Sequence, residues 1–198
     1  MLSLVFARVE LTGKIVLDAG CGKGAWGRHI RFAEGWNQAY KVGIDLFKPY
    51  IAIAKNHRLY DDVIAGDVRY LPFKGTIFDL VLSAFVLEHL TKADGDRFLC
   101  EAKRVCRQSF ILITEHGHKS SAEAGISRKA LEENPLLHHR SGWTYRELHE
   151  RGFTVRGFGV KYTRRFPWPC KIFLYIISSF TYMLPKFADK LIARKVRR

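Results

Sequence analysis

The stretch KIVLDAGCGKGAWG, residues 14–27, constrains the fold more than any other part of the sequence. A short apolar run ends in Asp18, and four glycines follow within eight residues. A strand that turns sharply into a helix offers bare backbone N–H groups and the positive end of a helix dipole to a ligand. The stretch therefore predicts a strand–turn–helix unit with a ligand site at its turn.

Short apolar runs alternate with segments of helical periodicity along the rest of the chain. This alternation is typical of a mostly parallel sheet with helices on its faces. No internal repeat or low-complexity segment interrupts it. We predict strands at residues 14–17, 42–45, 63–65, 78–83, 110–114 and 154–160. The predicted fold class is therefore α/β, a Rossmann-like doubly wound sheet.

The helices are predicted from apolar spacing and from residues that cap helix ends. A helix should follow the glycines, and another should run from Pro49 to Asn56, since proline suits a first turn. Asp94 is predicted to cap a third helix, whose apolar face would extend to Cys106. Residues 144–152 have the spacing of a capping box, with a glycine as the stop signal.

The charge of the chain is concentrated near its end. The formal net charge is +14, and residues 161–198 contain ten Lys and Arg residues against one acid. Fourteen uncharged residues lie between Lys171 and Lys186, which is short for a membrane-spanning helix. Apolar residues from Leu184 to Ile192 follow at helical spacing. We therefore predict a ligand-binding domain over residues 1–160 and a basic, apolar C-terminal helical extension over residues 161–198. The extension would lie on a membrane or a nucleic acid, or pack on the sheet.

Two nucleotide-binding patterns compete for the glycine turn. A P-loop needs GxxxxGK[ST], and no lysine that follows a glycine here is followed by Ser or Thr. A dinucleotide fingerprint fits better, because Gly22, Gly24 and Gly27 match GxGxxG and Asp45 lies about 20 residues further on. Asp18 decides between the remaining ligands. A fixed anion repels a pyrophosphate but attracts a ligand that carries an ammonium and a sulfonium.

The motifs in this order resemble those of the class I S-adenosylmethionine-dependent methyltransferases, over residues 14–160. VLDAGCGKG resembles their first motif, VGIDLF the second, AGDVRYLPF the third and FDLVLSAFVLEHL the fourth. The resemblance implies S-adenosylmethionine as cofactor. It implies that Asp45 accepts hydrogen bonds from the ribose hydroxyls, that Asp67 takes the adenine amino group, and that Val68 faces the adenine ring. The full set of implied cofactor-binding residues is Asp18, Gly20, Cys21, Gly22, Gly24, Asp45, Leu46, Asp67, Val68 and Ser83.

The chain departs from the family pattern at three places. CRQS, residues 106–109, replaces the glycine pair that usually precedes the fifth strand. Only about thirteen residues precede the first predicted strand, where the family often has helices that cover the cofactor. No segment after residue 160 matches the usual last strand. These departures affect the acceptor pocket and leave the cofactor motifs intact.

The residues that act on the methyl acceptor are not specified by these motifs. His89 and His116 are candidate general bases, and Glu88, His89 and His118 are candidate acceptor-pocket residues. No metal site is predicted, because the spacing of the histidines matches no standard zinc pattern. SAFV, residues 83–86, lacks the [DN]PP[FY] pattern of enzymes that methylate adenine or glutamine amides.

Three functional classes remain open from the sequence. The first is an enzyme that methylates a small or lipid-like molecule, with the extension on an anionic membrane surface. The second is an RNA methyltransferase with the extension as an electrostatic arm, and the third is a non-catalytic cofactor-binding subunit. The apolar residues 172–184 favour the first over a nucleic-acid partner. No signal peptide is evident, and four cysteines without a CxxC pair indicate free thiols, so a cytoplasmic protein, peripheral at the membrane, is expected.

Overall fold

The computed structural model describes residues 9–30, 33–160, 185 and 188–196. These residues form a seven-stranded sheet in the order β3-β2-β1-β4-β5-β7-β6. All neighbouring pairs are parallel except those of β7, which runs antiparallel to both β5 and β6. The strands are β1 Ile15–Ala19, β2 Tyr40–Asp45, β3 Asp62–Ala65, β4 Phe78–Ala84, β5 Cys106–Glu115, β6 Thr154–Val160 and β7 Ala188–Val196. The predicted α/β fold with a mostly parallel sheet is confirmed.

Five α-helices lie between the strands in the described part of the chain. They are α1 Ala25–Ile30, α2 Lys48–Asn56, α3 Lys92–Val105, α4 Arg128–Glu133 and α5 Tyr145–Glu150. Single turns of 3-10 helix occur at Trp36–Gln38, Leu87–His89 and Pro135–Leu137. Proline lies in the first turn of α2 as predicted. The predicted capping box of α5 is formed by Thr144 and Glu147, and Gly152 takes the left-handed conformation just beyond the helix (φ 80°).

Both ends of α3 differ from the sequence prediction. Its N-cap is Thr91, whose side-chain oxygen accepts from the Asp94 backbone N–H, and Asp94 lies within the first turn. Cys106 adopts extended backbone and begins β5 directly after Val105, so it is not part of the helix face. An extended residue at this junction needs no left-handed cap. This explains how the chain dispenses with the glycine pair of the family pattern.

The last strand, β7, corrects the prediction for the end of the chain. Residues 188–196 were predicted as part of a basic amphipathic helix, and the family's last strand was predicted to be missing; both predictions are wrong here. Leu191 and Ala193 pack into the core on one face of the sheet, and Ile192 packs against the cluster on the other face. A short apolar segment fits both periodicities, and pairing with β5 and β6 selects the strand. The predicted run at residues 172–184 lies outside the described residues.

The core lies on both faces of the sheet. The larger cluster includes Leu17, Phe98, Phe110 and Trp143, and the smaller one includes Trp36 and Leu82 on the opposite side. Strands β1 and β4 are buried in the centre, as expected for parallel strands that are covered on both faces. Among the described helices, none combines the length and the apolar character needed to cross a bilayer.

Candidate functional site

A cavity of about 310 Å³ opens where the carboxyl ends of the central strands meet. Strand β1 has β2 on one side and β4 on the other, so the chain order reverses between β1 and β4. Ligands of open α/β sheets bind in the crevice at this switch point. The cavity therefore lies where the fold places a ligand, and its wall combines the glycine turn, the ends of β2 and β4, and residues 134–140.

The glycine turn forms one wall through its backbone. Gly20 has a φ of +81°, and a Cβ there would approach Val86 Cγ2 to 2.2 Å. Gly22 has a φ of +53° and lines the cavity, with only Tyr50 at 4.0 Å from an added Cβ. The bare backbone thus serves two purposes. Gly20 permits a close approach to the end of β4, while Gly22 leaves the cavity open.

Asp45, at the end of β2, ties the second wall to the glycine turn. Its Oδ2 accepts from the Gly22 backbone N–H at 2.8 Å, and its Oδ1 accepts from the Phe47 N–H at 2.8 Å. Burial raises the pKa of Asp45 above its usual value, although these backbone hydrogen bonds act in the opposite direction. A carboxylate has about four acceptor sites, so the two oxygens retain capacity for further donors. Leu46, which follows, is exposed and also lines the cavity.

Asp67 faces the cavity together with Val68, and a neighbouring arginine engages it. The Arg69 Nε lies 3.0 Å from each oxygen of Asp67, and its Nη2 lies 2.6 Å from Oδ2. Partial burial would raise the pKa of Asp67, but the hydrogen bonds from Arg69 outweigh it and hold the pKa below its usual value. Arg69 also pairs with Asp94 at 3.2 Å. This arginine is therefore neutralised by two carboxylates at the cavity wall.

Asp18 lies behind the glycine turn and does not line the cavity. It is 1% exposed, and its Oδ2 accepts from the Tyr60 hydroxyl at 2.6 Å. Its Oδ1 is buried and has no hydrogen-bond partner. Burial raises the pKa of Asp18 to about 7, and the charge of Asp45 adds to the rise, while the bond from Tyr60 opposes it. An unsatisfied buried carboxylate oxygen is costly, and it indicates a position for a donor or a cation.

Three other residues that the resemblance assigns to the cofactor have packing or hydrogen-bonding roles in the cavity wall. Gly24 (φ +85°) lies against Leu59, at 3.1 Å from an added Cβ, and is not on the cavity surface. Ser83 is fully buried, and its hydroxyl donates to the Ala19 carbonyl at 2.8 Å, which joins the ends of β4 and β1. Cys21 lines the cavity, but burial raises the pKa of its thiol above the usual value, in agreement with a packing residue.

A mostly apolar part of the cavity wall comes from residues to which the sequence analysis assigned no role. The Trp26 and Phe85 rings contact each other at a centroid distance of 6.1 Å, and Leu136 and Leu137 extend the wall. Phe85 has a φ of +57°, an uncommon conformation for a residue with a side chain. Backbone strain of this kind clusters at functional sites. The only sequence signal for these residues was the position of Phe85 directly after β4.

His89 is the predicted catalytic residue that reaches the cavity. Its Nδ1 lies 3.4 Å from the His138 carbonyl oxygen, and its ring contacts the His139 ring edge-on at 5.0 Å. Burial, together with the nearby His139, lowers the pKa of His89 to about 4. Glu88 is 2% exposed and does not line the cavity; its Oε2 accepts from the Thr114 hydroxyl at 2.9 Å, and burial raises its pKa to about 7.

The other two predicted histidines are not at the cavity. His116 is buried, and its Nδ1 donates to the Ala188 carbonyl at 2.9 Å, which fastens the start of β7. His118 is exposed, and neither residue is on the cavity wall. The assignment of His116 as a base and of His118 as a pocket residue is therefore wrong. These residues were predicted from the spacing in EHGH, residues 115–118. In the structure, the His116 ring is instead hydrogen-bonded to the start of β7.

Comparisons with known proteins agree with this geometry. A family model described as "Methyltransferase domain" matches residues 17–114. These residues carry the motifs that resemble the class I S-adenosylmethionine-dependent methyltransferases, and the match supports that resemblance. Its fold is similar to that of a putative methyltransferase solved in complex with the Haloferax volcanii Trm112 methyltransferase activator, with a TM-score of 0.67 and 18% identity over 98% of this chain and 86% of that one.

Two curated relatives extend the comparison. An uncharacterized protein of Methanocaldococcus jannaschii is 27% identical over 169 residues, which cover 81% of this chain and 65% of that protein. Phthiotriol/phenolphthiotriol dimycocerosates methyltransferase 1 of Mycobacterium ulcerans is 33% identical over 113 residues, 54% of this chain and 39% of that protein. The chain thus spans less than two thirds of the length of these relatives.

The cavity fits the cofactor of the family. S-adenosylmethionine combines an ammonium, a sulfonium and a ribose, and Asp18, whose Oδ1 has no partner, would act on a positive group from behind the glycine turn. The open space at Gly22 and the remaining acceptor sites of Asp45 suit a ligand that needs close backbone approach and hydroxyl recognition. The geometry of the cavity thus agrees with the cofactor that the sequence motifs predict. The individual residue contacts stay predictions.

Proposed function

We propose that this methyltransferase transfers a methyl group from S-adenosylmethionine to a small or lipid-like acceptor. The observation that carries the proposal is the division of one cavity into two unlike walls. The glycine turn and Asp45 form the wall for the cofactor, and Trp26, Phe85 and Leu137 form an apolar wall for the acceptor. The charged residues of the lining lie mainly among the cofactor motifs, and an apolar wall beside them suits a largely apolar ligand.

The mechanism requires alignment more than a dedicated catalytic group. The cofactor, when bound, supplies an electrophilic methyl group on a sulfonium that leaves as a neutral thioether. The protein must hold the acceptor in line with that group, and such positioning contributes about 7–11 kcal/mol in favourable cases. Phe85 and Leu137 exclude water from the acceptor side, and the Gly20–Val86 contact fixes the glycine turn against the end of β4.

The relatives support this class of acceptor. The Mycobacterium ulcerans relative is named for methylating phthiotriol and phenolphthiotriol dimycocerosates. An RNA acceptor receives less support, because Lys190, Arg194 and Lys195 are part of strand β7 and do not belong to a separate basic arm. Some of the basic residues that would form such an arm are therefore part of the sheet.

Peripheral membrane association is part of the same proposal. It rests on the sequence of residues 161–187, where fourteen uncharged residues between Lys171 and Lys186 follow a basic segment. Apolar surface and basic charge together bind an anionic membrane surface. Sedimentation of the full chain with anionic vesicles tests it. Equal recovery with anionic and neutral vesicles would contradict the electrostatic part.

Methyl-labelled cofactor identifies the acceptor class. The protein is incubated with separated lipid, small-molecule and RNA extracts, and an Asp45→Ala variant serves as the matched control. Label should appear in the lipid or small-molecule fraction with the wild type and be absent with the variant. Label in the RNA fraction would overturn the proposal. No label in any fraction, with intact binding of S-adenosylhomocysteine, would favour a non-catalytic cofactor-binding subunit.

A further inference from the structure

Three side chains from distant parts of the sequence meet beside the acceptor wall. Glu88, His89 and His139 each place a possible ligand atom within 4.8 Å of the other two. Glu88 is buried, and both histidines are partly buried. Two imidazoles and one carboxylate form a recurrent donor set for divalent transition metals, as in catalytic zinc sites that keep an open position.

Backbone hydrogen bonds join the segment that contains Glu88 and His89 to the segment that contains His139. The carbonyl of Glu88 accepts from the Arg140 N–H at 2.8 Å and from the Ser141 N–H at 3.2 Å. These bonds fix the chain on the C-terminal side of His139 against Glu88. On its other side, the His139 N–H donates to the Ser121 hydroxyl at 2.9 Å. The backbone of His139 is therefore fixed beside His89 on both sides.

Both histidines are oriented in the manner of metal ligands. The His89 Nδ1 lies 3.4 Å from the His138 carbonyl oxygen, and the His139 Nδ1 lies 3.0 Å from the Lys119 carbonyl oxygen. A carbonyl accepts only, so each Nδ1 carries the hydrogen and each Nε2 keeps its lone pair. Ligating histidines commonly donate their other ring N–H to a backbone carbonyl, and ligating carboxylates are themselves hydrogen-bonded. Glu88 meets that condition through the Thr114 hydroxyl.

We propose that Glu88, His89 and His139 bind one divalent transition-metal ion at the acceptor side of the cavity. Bond lengths of about 2.0–2.2 Å to nitrogen and oxygen place ligand atoms roughly 3–3.5 Å apart. The ligand atoms lie within 4.8 Å of one another, so binding requires them to move closer together. The N₂O donor set suits Zn²⁺, Co²⁺ or Fe²⁺ better than Mg²⁺ or Ca²⁺. Of the three residues, His89 lies on the cavity wall, so the ion would be bound directly beside the cavity.

The catalytic use of the ion rests on the proposed function. When bound, the ion would lower the pKa of a coordinated acceptor hydroxyl, and the proton would pass to solvent. The O–CH₃ bond then forms as the S–CH₃ bond breaks, and the electron pair of that bond stays on sulfur as the thioether. The ion would thus replace a dedicated general base in the cavity.

Metal binding is measurable without cofactor or acceptor. The full-length protein, stripped with a chelator and dialysed, is titrated with Zn²⁺ alone in a calorimeter, and Co²⁺ absorption spectra report the coordination. The wild type should bind one ion per chain at this site. His139→Ala should weaken that binding at least tenfold, and Glu88→Gln should weaken it in the same direction. His138→Ala, one residue away and exposed, should change the affinity less than twofold.

The outcomes separate this inference from the proposed function. Melting curves and affinity for S-adenosylhomocysteine are measured on the same samples, and both should be preserved in His139→Ala. Equal Zn²⁺ affinity in the wild type and His139→Ala, or the absence of a stoichiometric site in the wild type, overturns the metal site. If the wild type binds Zn²⁺ at this site but transfers no methyl group, the proposed function is contradicted and the metal site is not.

Discussion

The two walls of the cavity are built in different ways. The cofactor wall comes from the ends of β1 and β2 and the turns directly after them, where backbone hydrogen bonds such as Gly22 N–H to Asp45 fix the geometry. Part of the acceptor wall comes from residues 134–140, which carry one 3-10 turn and little regular structure. One wall is therefore a property of the sheet, and the other depends on how a loop packs on it. This difference predicts that substitutions in the two walls separate binding of cofactor from methyl transfer.

The largest expected effect is at Asp45. Asp45→Ala removes the predicted charged acceptor of two ribose hydroxyls, and each hydrogen bond to a charged group contributes about 1.5–3 kcal/mol. The affinity for S-adenosylhomocysteine should fall at least about 100-fold, as measured by calorimetry. Asp62→Ala, at the exposed start of β3, is the matched control and should leave the affinity unchanged. Unaltered affinity in Asp45→Ala would show that the ribose lies elsewhere.

The next effect concerns Asp18, which supports the cofactor wall from behind. Its pKa is about 7 in the folded protein and about 3.9 when unfolded, so the folded state holds a proton that the unfolded chain has lost. The free energy of unfolding should therefore decrease as the pH rises from about 4 to 7, and stay low above that. Between pH 5 and pH 8 the Asp18 contribution to the free energy of unfolding falls by about 3 kcal/mol.

Asp18→Asn should remove most of that pH dependence, because an amide does not ionise yet still accepts from Tyr60. Denaturant unfolding of the wild type and the variant at pH 5 and pH 8 measures the difference. The variant should be the more stable of the two at pH 8 while binding cofactor more weakly. Identical pH dependence in both proteins would place the ionisation on another group.

A smaller effect is expected on the acceptor wall. Leu137→Asp introduces a charge into the apolar surface and should lower kcat/KM for the identified acceptor about tenfold, about 1.4 kcal/mol. Affinity for S-adenosylhomocysteine should stay within about twofold, since the residue comes from the loop and not from a strand end. Leu131→Asp, on α4 and away from the cavity, is the control. Parallel losses of cofactor affinity and turnover would mean that the walls are not separable.

The smallest effect concerns Cys21 within the glycine turn. Burial raises the pKa of its thiol, so iodoacetamide at pH 8 should modify the exposed Cys100 and leave Cys21 unmodified. Cofactor affinity should change less than about twofold after this treatment. Peptide mass spectrometry identifies the modified thiols. Rapid modification of Cys21 with loss of binding would show that the turn opens in solution.

Much of the cofactor wall was accessible from the sequence because its parts are local. The order of Asp18, the glycines, Asp45 and Asp67 follows the ends of successive strands, and parallel strands bring these ends to one edge of the sheet. The strands themselves are recognisable as short apolar runs. The position of Ser83 shows the limit of this reasoning, because its hydroxyl turns to the Ala19 carbonyl and away from the cavity.

The sequence by itself indicated six of the seven strands, the family resemblance and the cofactor that it implies, because those signals lie within a few residues of each strand end. Only the tertiary structure decided that residues 188–196 are a strand, since a nine-residue apolar and basic segment fits both periodicities until β5 and β6 pair with it. It also decided that His139 lies beside His89 and Glu88. That contact depends on hydrogen bonds from Arg140 and Ser141 to the Glu88 carbonyl, which join segments far apart in the chain and leave no local pattern.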